Sequence, residues 1–196
     1  SLISEYFIIK IIRYYQKIDF KNFEYYLYLH FWQYPLIYYL RNRNFIMSKT
    51  NFKIIDENLY ERYKLHKEKI PGLFFDRDGV LIKEKNYIKM AHKVELESYS
   101  IKHLRSLLNL DFINIIVTNQ SGISRGFLNW DDYINVTNEM KNLMGNPNLF
   151  AGIYANSLRD NNIGNDLWRK PSPGMLLEAA KDFPIDLSKS VMIGDK

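Results

Sequence analysis

Short apolar runs alternate with stretches of helical period along the last two-thirds of the chain. The run GLFF at 72–75, just past Pro71, predicts a buried strand. Ile101, Leu104, Leu107 and Leu108 recur at spacings of three and four, which predicts a helix over 98–109. FINIIVT at 112–118 is rich in β-branched residues and predicts a second buried strand. A glycine loop follows, then a helix over 130–144 with Asn129 as N-cap and Asp131 and Asp132 favourable in its first turn. LFAGIYA at 149–155 predicts a third strand, and SVMIG at 190–194 a fourth. Between them Ser172, as cap, and Pro173, at the first helical position, open a helix to Phe183. Such alternation predicts an α/β fold, Rossmann-like and three-layered, with a mostly parallel sheet covered on both faces. Ligands of these sheets bind beyond the carboxyl ends of the strands.

Polar residues gather at those ends. Asp76 and Asp78 follow the first strand, and Thr118, Asn119, Gln120, Ser121 and Gly122 follow the second. Arg169, Lys170 and Pro171 come after the loop beyond the third strand, and Asp195 after the fourth. Residues two apart in an extended chain point the same way, so Asp76 and Asp78 can face one small volume. Their oxygens suit Mg²⁺, a hard cation that takes one or two carboxylates and leaves other positions to water and phosphate. Asp76 is placed to attack phosphorus, giving an aspartyl-phosphate. Asp78 can protonate the leaving alkoxide and later deprotonate water. A carboxylate attacking a phosphate dianion is repelled, so positive charge and fixed donors are needed. Lys170 and Mg²⁺ supply the charge; the Thr118 hydroxyl and the main-chain N–H groups of 119–122 supply the donors, with glycine permitting close approach. Asp195 would hold the metal from the far side.

Composition narrows the alternatives. The 196 residues suffice for one ordinary domain and a small appendage. The absence of cysteine excludes disulfides, thiolate zinc sites and cysteine nucleophiles and fits a reducing compartment. A formal net charge of +5 suits an anionic partner without naming it.

Residues 1–46 differ from the rest: they hold half of all Phe, Trp and Tyr and contain no Gly, Ala, Val or Thr. Three readings stand. A membrane anchor needs roughly 20 apolar residues, whereas the stretch from Tyr25 to Leu40 is shorter and includes His30, Gln33 and Pro35. An aromatic helical appendage is the second. The preferred reading is upstream sequence translated ahead of a start at Met47. On this reading 47–70 is a lead-in segment and 71–196 the catalytic domain.

The extended motifs carry a family resemblance. FFDRDGV at 74–80, VTNQSGISRG at 117–126, RKPSPGM at 169–175 and IGDK at 193–196 resemble, in order, the four motifs of the haloacid dehalogenase (HAD) phosphatase superfamily. Within it they are most similar to the branch of D-glycero-D-manno-heptose 1,7-bisphosphate phosphatase and histidinol-phosphatase. The resemblance covers 73–196 and implies Asp76 as nucleophile and metal ligand, Asp78 as acid/base whose main-chain carbonyl also binds metal, and Asp195 as third metal ligand. Thr118 and Lys170 would steady the phosphoryl group. Arg169 would help recognise substrate, as would Asn119, Gln120, Ser121 and the loop 84–87. Apart from the resemblance, Arg77 and Arg125 read equally well as substrate-binding residues and as surface charges. Met175 is expected to pack its helix on the sheet, and His30, His66, His92 and His103 match no motif.

Two departures matter. Many members of the branch hold zinc through one histidine and three cysteines before R-K-P, whereas 155–168 contains neither residue type, so zinc is not expected. The family also usually carries another acidic residue, a helix and a strand after G-D-K, so the chain reads as a fragment truncated at the fourth motif. The resemblance thus implies a Mg²⁺-dependent phosphomonoesterase with no large cap domain, acting in the cytoplasm as a monomer on a small phosphorylated metabolite. Heptose 1,7-bisphosphate is the first expectation and histidinol phosphate the alternative, with no nucleic acid or membrane partner. An inactive binding module is the non-enzymatic alternative.

Overall fold

In the computed structural model the described residues are 46–47, 50–98, 111–146, 148–159 and 168–195, all within the unit Asn44–Lys196. The strands are β1 (Ile46–Met47), β2 (Asn51–Ile55), β3 (Ile70–Phe75), β4 (Ile113–Asn119), β5 (Gly152–Asn156) and β6 (Ile185–Ile193). They form one sheet in the order β1-β2-β5-β4-β3-β6. Pairs β5-β4, β4-β3 and β3-β6 are parallel, while β2 runs antiparallel to β5 and β1 antiparallel to β2. The helices are α1 (Glu57–Lys64), α2 (Ser121–Ser124), α3 (Trp130–Leu143) and α4 (Gly174–Asp182).

Alternation along the central strands builds two cores. Leu73 and Phe75 of β3 and Ile116 of β4 join Tyr133, Val136 and Met140 of α3 on one face. Phe74 of β3 and Ile113, Ile115 and Val117 of β4 join Met175 and Ala179 of α4 on the other, where Leu59, Tyr60 and Tyr63 of α1 also pack. The layers are helix, sheet, helix, as expected from strands buried on both faces, and Met175 packs against the sheet as the sequence predicts.

Helix α3 begins where the sequence places it. Asn129 Oδ1 accepts from Asp132 N at 2.8 Å, and Asp132 Oδ2 accepts from Asn129 N at 3.0 Å, closing a capping box. Helix α4 departs from expectation. It starts at Gly174 with Pro173 in the cap position and no side-chain cap bond, so Ser172 does not cap it. Strand β6 starts five residues earlier than predicted, at Ile185. The polar DLSKS stretch is absorbed as an irregularity: Pro71 pairs with Asp186, then Leu73 with Val191. Ser190 Oγ holds the gap, accepting from Gly72 N at 2.8 Å and donating to Asp186 O at 2.6 Å.

The lead-in 47–70 contributes β2 and α1, neither of which the hydrophobic pattern singles out. Buried Lys53 of β2 ties itself to α4 through Glu178 at 3.1 Å and Asp182 at 3.0 Å. Asp182 also accepts from Tyr154 Oη at 2.8 Å. Between Asp78 and the start of β4 the described residues build isolated β-bridges and a 3-10 turn at Ala91–Lys93, with no cap domain among them. The predicted helix 98–109 lies almost wholly outside the described residues, as do 1–45.

Candidate active site

A cleft of about 900 Å³ opens at the carboxyl ends of β3, β4 and β6. Asp76, Arg77, Asp78, Thr118, Asn119, Gln120, Ser121, Arg169, Lys170 and Asp195 all contribute to its lining, so ten of the eleven residues singled out from sequence meet in one place. The exception is Arg125. It is exposed on the outer rim, with its guanidinium 5.9 Å from the centroid of the Tyr87 ring.

At the floor, Asp76 leaves β3 with its N–H donating to Ile193 O of β6 at 2.9 Å. Its Oδ1 accepts from Arg77 N at 2.8 Å, and its Oδ2 accepts from Lys170 Nζ. Lys170 is itself aimed by Asn119, the last residue of β4. Asn119 Oδ1 accepts from Lys170 N and its Nδ2 donates to Lys170 O, both at 3.0 Å. This reciprocal clamp resembles a ladder pair and fixes the Lys170 backbone. Asn119 therefore positions the cation through the main chain.

Gly79 brings Asp195 close. Its φ is +80°, and a Cβ built there would lie 2.7 Å from Asp195 Oδ2 and 2.9 Å from its Cγ. Only glycine meets both conditions without strain. Gly122 has a different role from the expected approach to ligand: a Cβ there would meet Leu128 Cδ2 at 2.4 Å and Tyr87 Cδ1 at 2.5 Å. The missing side chain makes room for protein. Tyr87 sits on it from a loop in which Asn86 and Tyr87 have φ values of 46° and 67°, and its ring packs 5.0 Å from that of exposed Phe127.

Arg77 contributes to the lining but is not a surface charge, and its guanidinium is taken up by protein partners. Its side chain is 1% exposed and lies against the Tyr133 ring at 4.6 Å. The alternation that sends Asp76 toward Lys170 sends Arg77 to the side of Leu73, Phe75 and α3. Its Nε and Nη2 grip the Asp78 carboxylate at 3.0–3.2 Å, Nη1 donates to Thr137 Oγ1 and Nη2 to Gln120 Oε1, each at 3.1 Å. Gln120, also buried, donates from Nε2 to Asp78 Oδ2 at 2.6 Å and to Thr118 Oγ1 at 3.0 Å. Arg169 lines the cleft and donates to Leu158 O at 2.6 Å. Of the residues not anticipated, Ile88, Leu176 and Met192 give the cleft an apolar flank; nothing in a short sequence window marks them.

The lining carries four carboxylates (Asp76, Asp78, Glu84, Asp195) against three cations (Arg77, Arg169, Lys170). Arg77 is held by Asp78 and Lys170 by Asp76, so a phosphate dianion would meet net repulsion unless a further cation accompanied it. Among the described residues no three of His, Cys, Asp and Glu converge to hold a metal by side chains alone. The donor set still fits Mg²⁺, which is commonly bound by one or two carboxylates with the remaining positions left to water and phosphate. Asp76 and Asp195 stand just past the ends of the adjacent strands β3 and β6 and both line the cleft.

An α/β sheet with aspartates and a lysine gathered at its strand ends around an open cleft defines a phosphatase of the HAD type. The chain belongs to the family described as polynucleotide kinase 3 phosphatase, whose profile matches residues 72–196. It is 33% identical over 131 residues to the D-glycero-alpha-D-manno-heptose-1,7-bisphosphate 7-phosphatase of Burkholderia mallei, a match covering 64% of this chain and 69% of that protein. A HAD-like phosphatase structure from Mesorhizobium loti superposes with a TM-score of 0.67 at 25% identity, covering 77% of this chain and 73% of that one. D,D-heptose 1,7-bisphosphate phosphatase from B. bronchiseptica, solved with magnesium and phosphate, shares the fold with a TM-score of 0.54 at 24% identity, covering 64% and 70%. The protein is a phosphoric monoester hydrolase by family. No helix among the described residues is long and apolar enough to cross a membrane.

Proposed function

We propose that the chain hydrolyses a phosphomonoester of a small sugar phosphate, first of all the 7-phosphate of D-glycero-D-manno-heptose 1,7-bisphosphate, with Mg²⁺ as cofactor. The observation that carries the reading is the contact between Lys170 Nζ and Asp76 Oδ2 on the cleft floor. It brings a nucleophile and a phosphate-binding cation together from positions 94 residues apart. Asp76 attacks phosphorus through one carboxylate oxygen, and the bond to the ester oxygen breaks. Asp78 gives its proton to the leaving alkoxide, then takes one from the water that cleaves the aspartyl-phosphate. Lys170 and the Thr118 hydroxyl steady the equatorial oxygens. Mg²⁺ would be held by Asp76, Asp195 and the Asp78 carbonyl and would neutralise charge on the transferring group. Arg169 and Ser121 face substrate. The reading places the enzyme in the cytoplasm as a monomer.

Phosphate release with Mg²⁺ is measured from heptose 1,7-bisphosphate, histidinol phosphate and an oligonucleotide 3′-phosphate, with Asp76→Asn as control. Turnover of the heptose ester that vanishes in the variant is the expected result. Preference for histidinol phosphate or the oligonucleotide would keep the mechanism and change the substrate. A wild-type protein no better than Asp76→Asn on every ester would sink the reading and leave the binding-module alternative.

A further inference from the structure

We infer that Arg77 and Gln120 are positioning residues that act through Asp78 and make no productive contact with substrate. The inference deepens the proposed function and rests on it. Burying a guanidinium is unfavourable unless it is paired and hydrogen-bonded, and all three nitrogens and the face of this one have protein partners: Asp78, Gln120, Thr137 and the Tyr133 ring. An arginine so committed has little left to offer a phosphate. What the cluster does instead is unequal treatment of the two Asp78 oxygens. Oδ2 accepts from Arg77 Nε at 3.2 Å, Arg77 Nη2 at 3.0 Å and Gln120 Nε2 at 2.6 Å, whereas Oδ1 accepts only the 3.1 Å bond from Nη2 among the described residues.

Each carboxylate oxygen has about two lone-pair sites. Oδ2 is therefore saturated, and Oδ1 is the oxygen with capacity to spare. Held this way, Asp78 presents one defined atom to the cleft it lines. In the first half-reaction the Asp76 carboxylate forms the new P–O bond, the ester P–O bond breaks, and the alkoxide takes the proton from Asp78 Oδ1. In the second, water adds to phosphorus, the Asp76 O–P bond breaks, and the water proton returns to Oδ1. Both steps balance without another reactant. Gln120 is tied to the same machinery a second time, since the same Nε2 also donates to Thr118 Oγ1 at 3.0 Å. Neither glutamine nor arginine needs to touch the ester.

A group acting through the acid/base has a signature that a structural or substrate-binding residue lacks. Nitrophenolate leaves without a proton, and a sugar alkoxide does not. The experiment compares kcat/KM for p-nitrophenyl phosphate and heptose 1,7-bisphosphate in wild type, Asp78→Asn, Arg77→Lys, Gln120→Met and the two double variants carrying Asp78→Asn, with melting temperatures alongside. Lysine cannot reproduce the bidentate grip. Arg77→Lys and Gln120→Met should each lose roughly 10²-fold on the sugar ester while staying within about threefold on the aryl ester. Both should share with Asp78→Asn a one-equivalent burst of nitrophenol, because hydrolysis of the aspartyl-phosphate also needs the base. Added to Asp78→Asn, neither should cost anything more. Equal losses on both esters, a raised KM with kcat intact, or additive losses would overturn the inference. If Arg77→Lys fails to fold, Gln120→Met still decides, since it leaves the Arg77–Asp78 pair in place. A wild type indistinguishable from Asp76→Asn on both esters would remove the proposed function itself, and this inference with it; that outcome is read without any Arg77 or Gln120 variant.

Discussion

Substituting Gly79 by alanine should separate activity from stability. The added Cβ would stand 2.7 Å from Asp195 Oδ2, about 0.7 Å short of the 3.4 Å at which ordinary contact begins. The backbone at φ +80° adds a left-handed penalty of about 1–2 kcal/mol. Asp195 is exposed, so it can move aside with little resistance, and the overlap should add little to that penalty. For a unit of this size the expected fall in Tm is then about 2–8 °C. Catalysis should suffer more, because a displacement near 1 Å in a reacting site costs roughly 10²-fold in rate. The assay is phosphate release over a Mg²⁺ series, with melting curves on the same samples. Gly79→Ala should need more Mg²⁺ for half-maximal rate, and in an Asp195→Asn background it should cost nothing further. Unchanged Mg²⁺ dependence, or the same fold loss in the Asp195→Asn background, would show that Gly79 does not act through Asp195.

Other perturbations probe the supports of the cleft. Lys53→Met leaves Glu178 and Asp182 facing each other; both are about one-fifth exposed, so the loss should be about 2–3 kcal/mol, read by denaturant unfolding, with full stability in the variant counting against the network. Burial pushes the Glu178 carboxyl up, but hydrogen bonds and charge from Lys181 and Lys53 outweigh it and hold the group below the usual range. A depressed carboxyl stabilises the fold above its unfolded pKa and ceases to as pH falls through its folded value, so the Tm gap between wild type and Glu178→Gln should narrow below about pH 4; a constant gap from pH 7 to pH 3 would refute this. Asn119→Ala frees the Lys170 backbone and should lower kcat/KM by roughly 10²-fold, an effect that should disappear in a Lys170→Ala background.

The architecture was legible because burial on both faces writes itself as continuous apolar runs. GLFF, FINIIVT and the Asn129 cap located β3, β4 and α3 to within two residues. Where the run was interrupted, reading failed. Residues 186–189 fell outside the predicted strand because they are polar, yet Asp186 and Ser190 use local side-chain bonds to carry β6 through an irregular stretch beside Pro71. Strand β2 went unseen because NFKII is short and contains a lysine, and only the distant acids of α4 make a buried Lys53 tolerable. Its pairing partner lies about a hundred residues away in sequence. No local window contains that information.

Site residues divide by the same physics. Strand ends announce which residues share a cleft, and ten of eleven did. What a side chain does there depends on which face it leaves by, and just past β3 this too was implicit: in an extended chain the residue between two aspartates leaves by the opposite face. Applied one step further, the alternation assigns Arg77 to the face of Leu73 and Phe75, where Tyr133 and Thr137 of α3 wait. Its charge suggested phosphate; its parity pointed to protein. Gln120 was harder, because only the distant Arg77–Asp78 pair gives its amide two ends to satisfy. A charge beside a catalytic pair in a strand-end motif is thus better read first as that pair's support, and as a substrate ligand only when its parity leaves it facing the cleft.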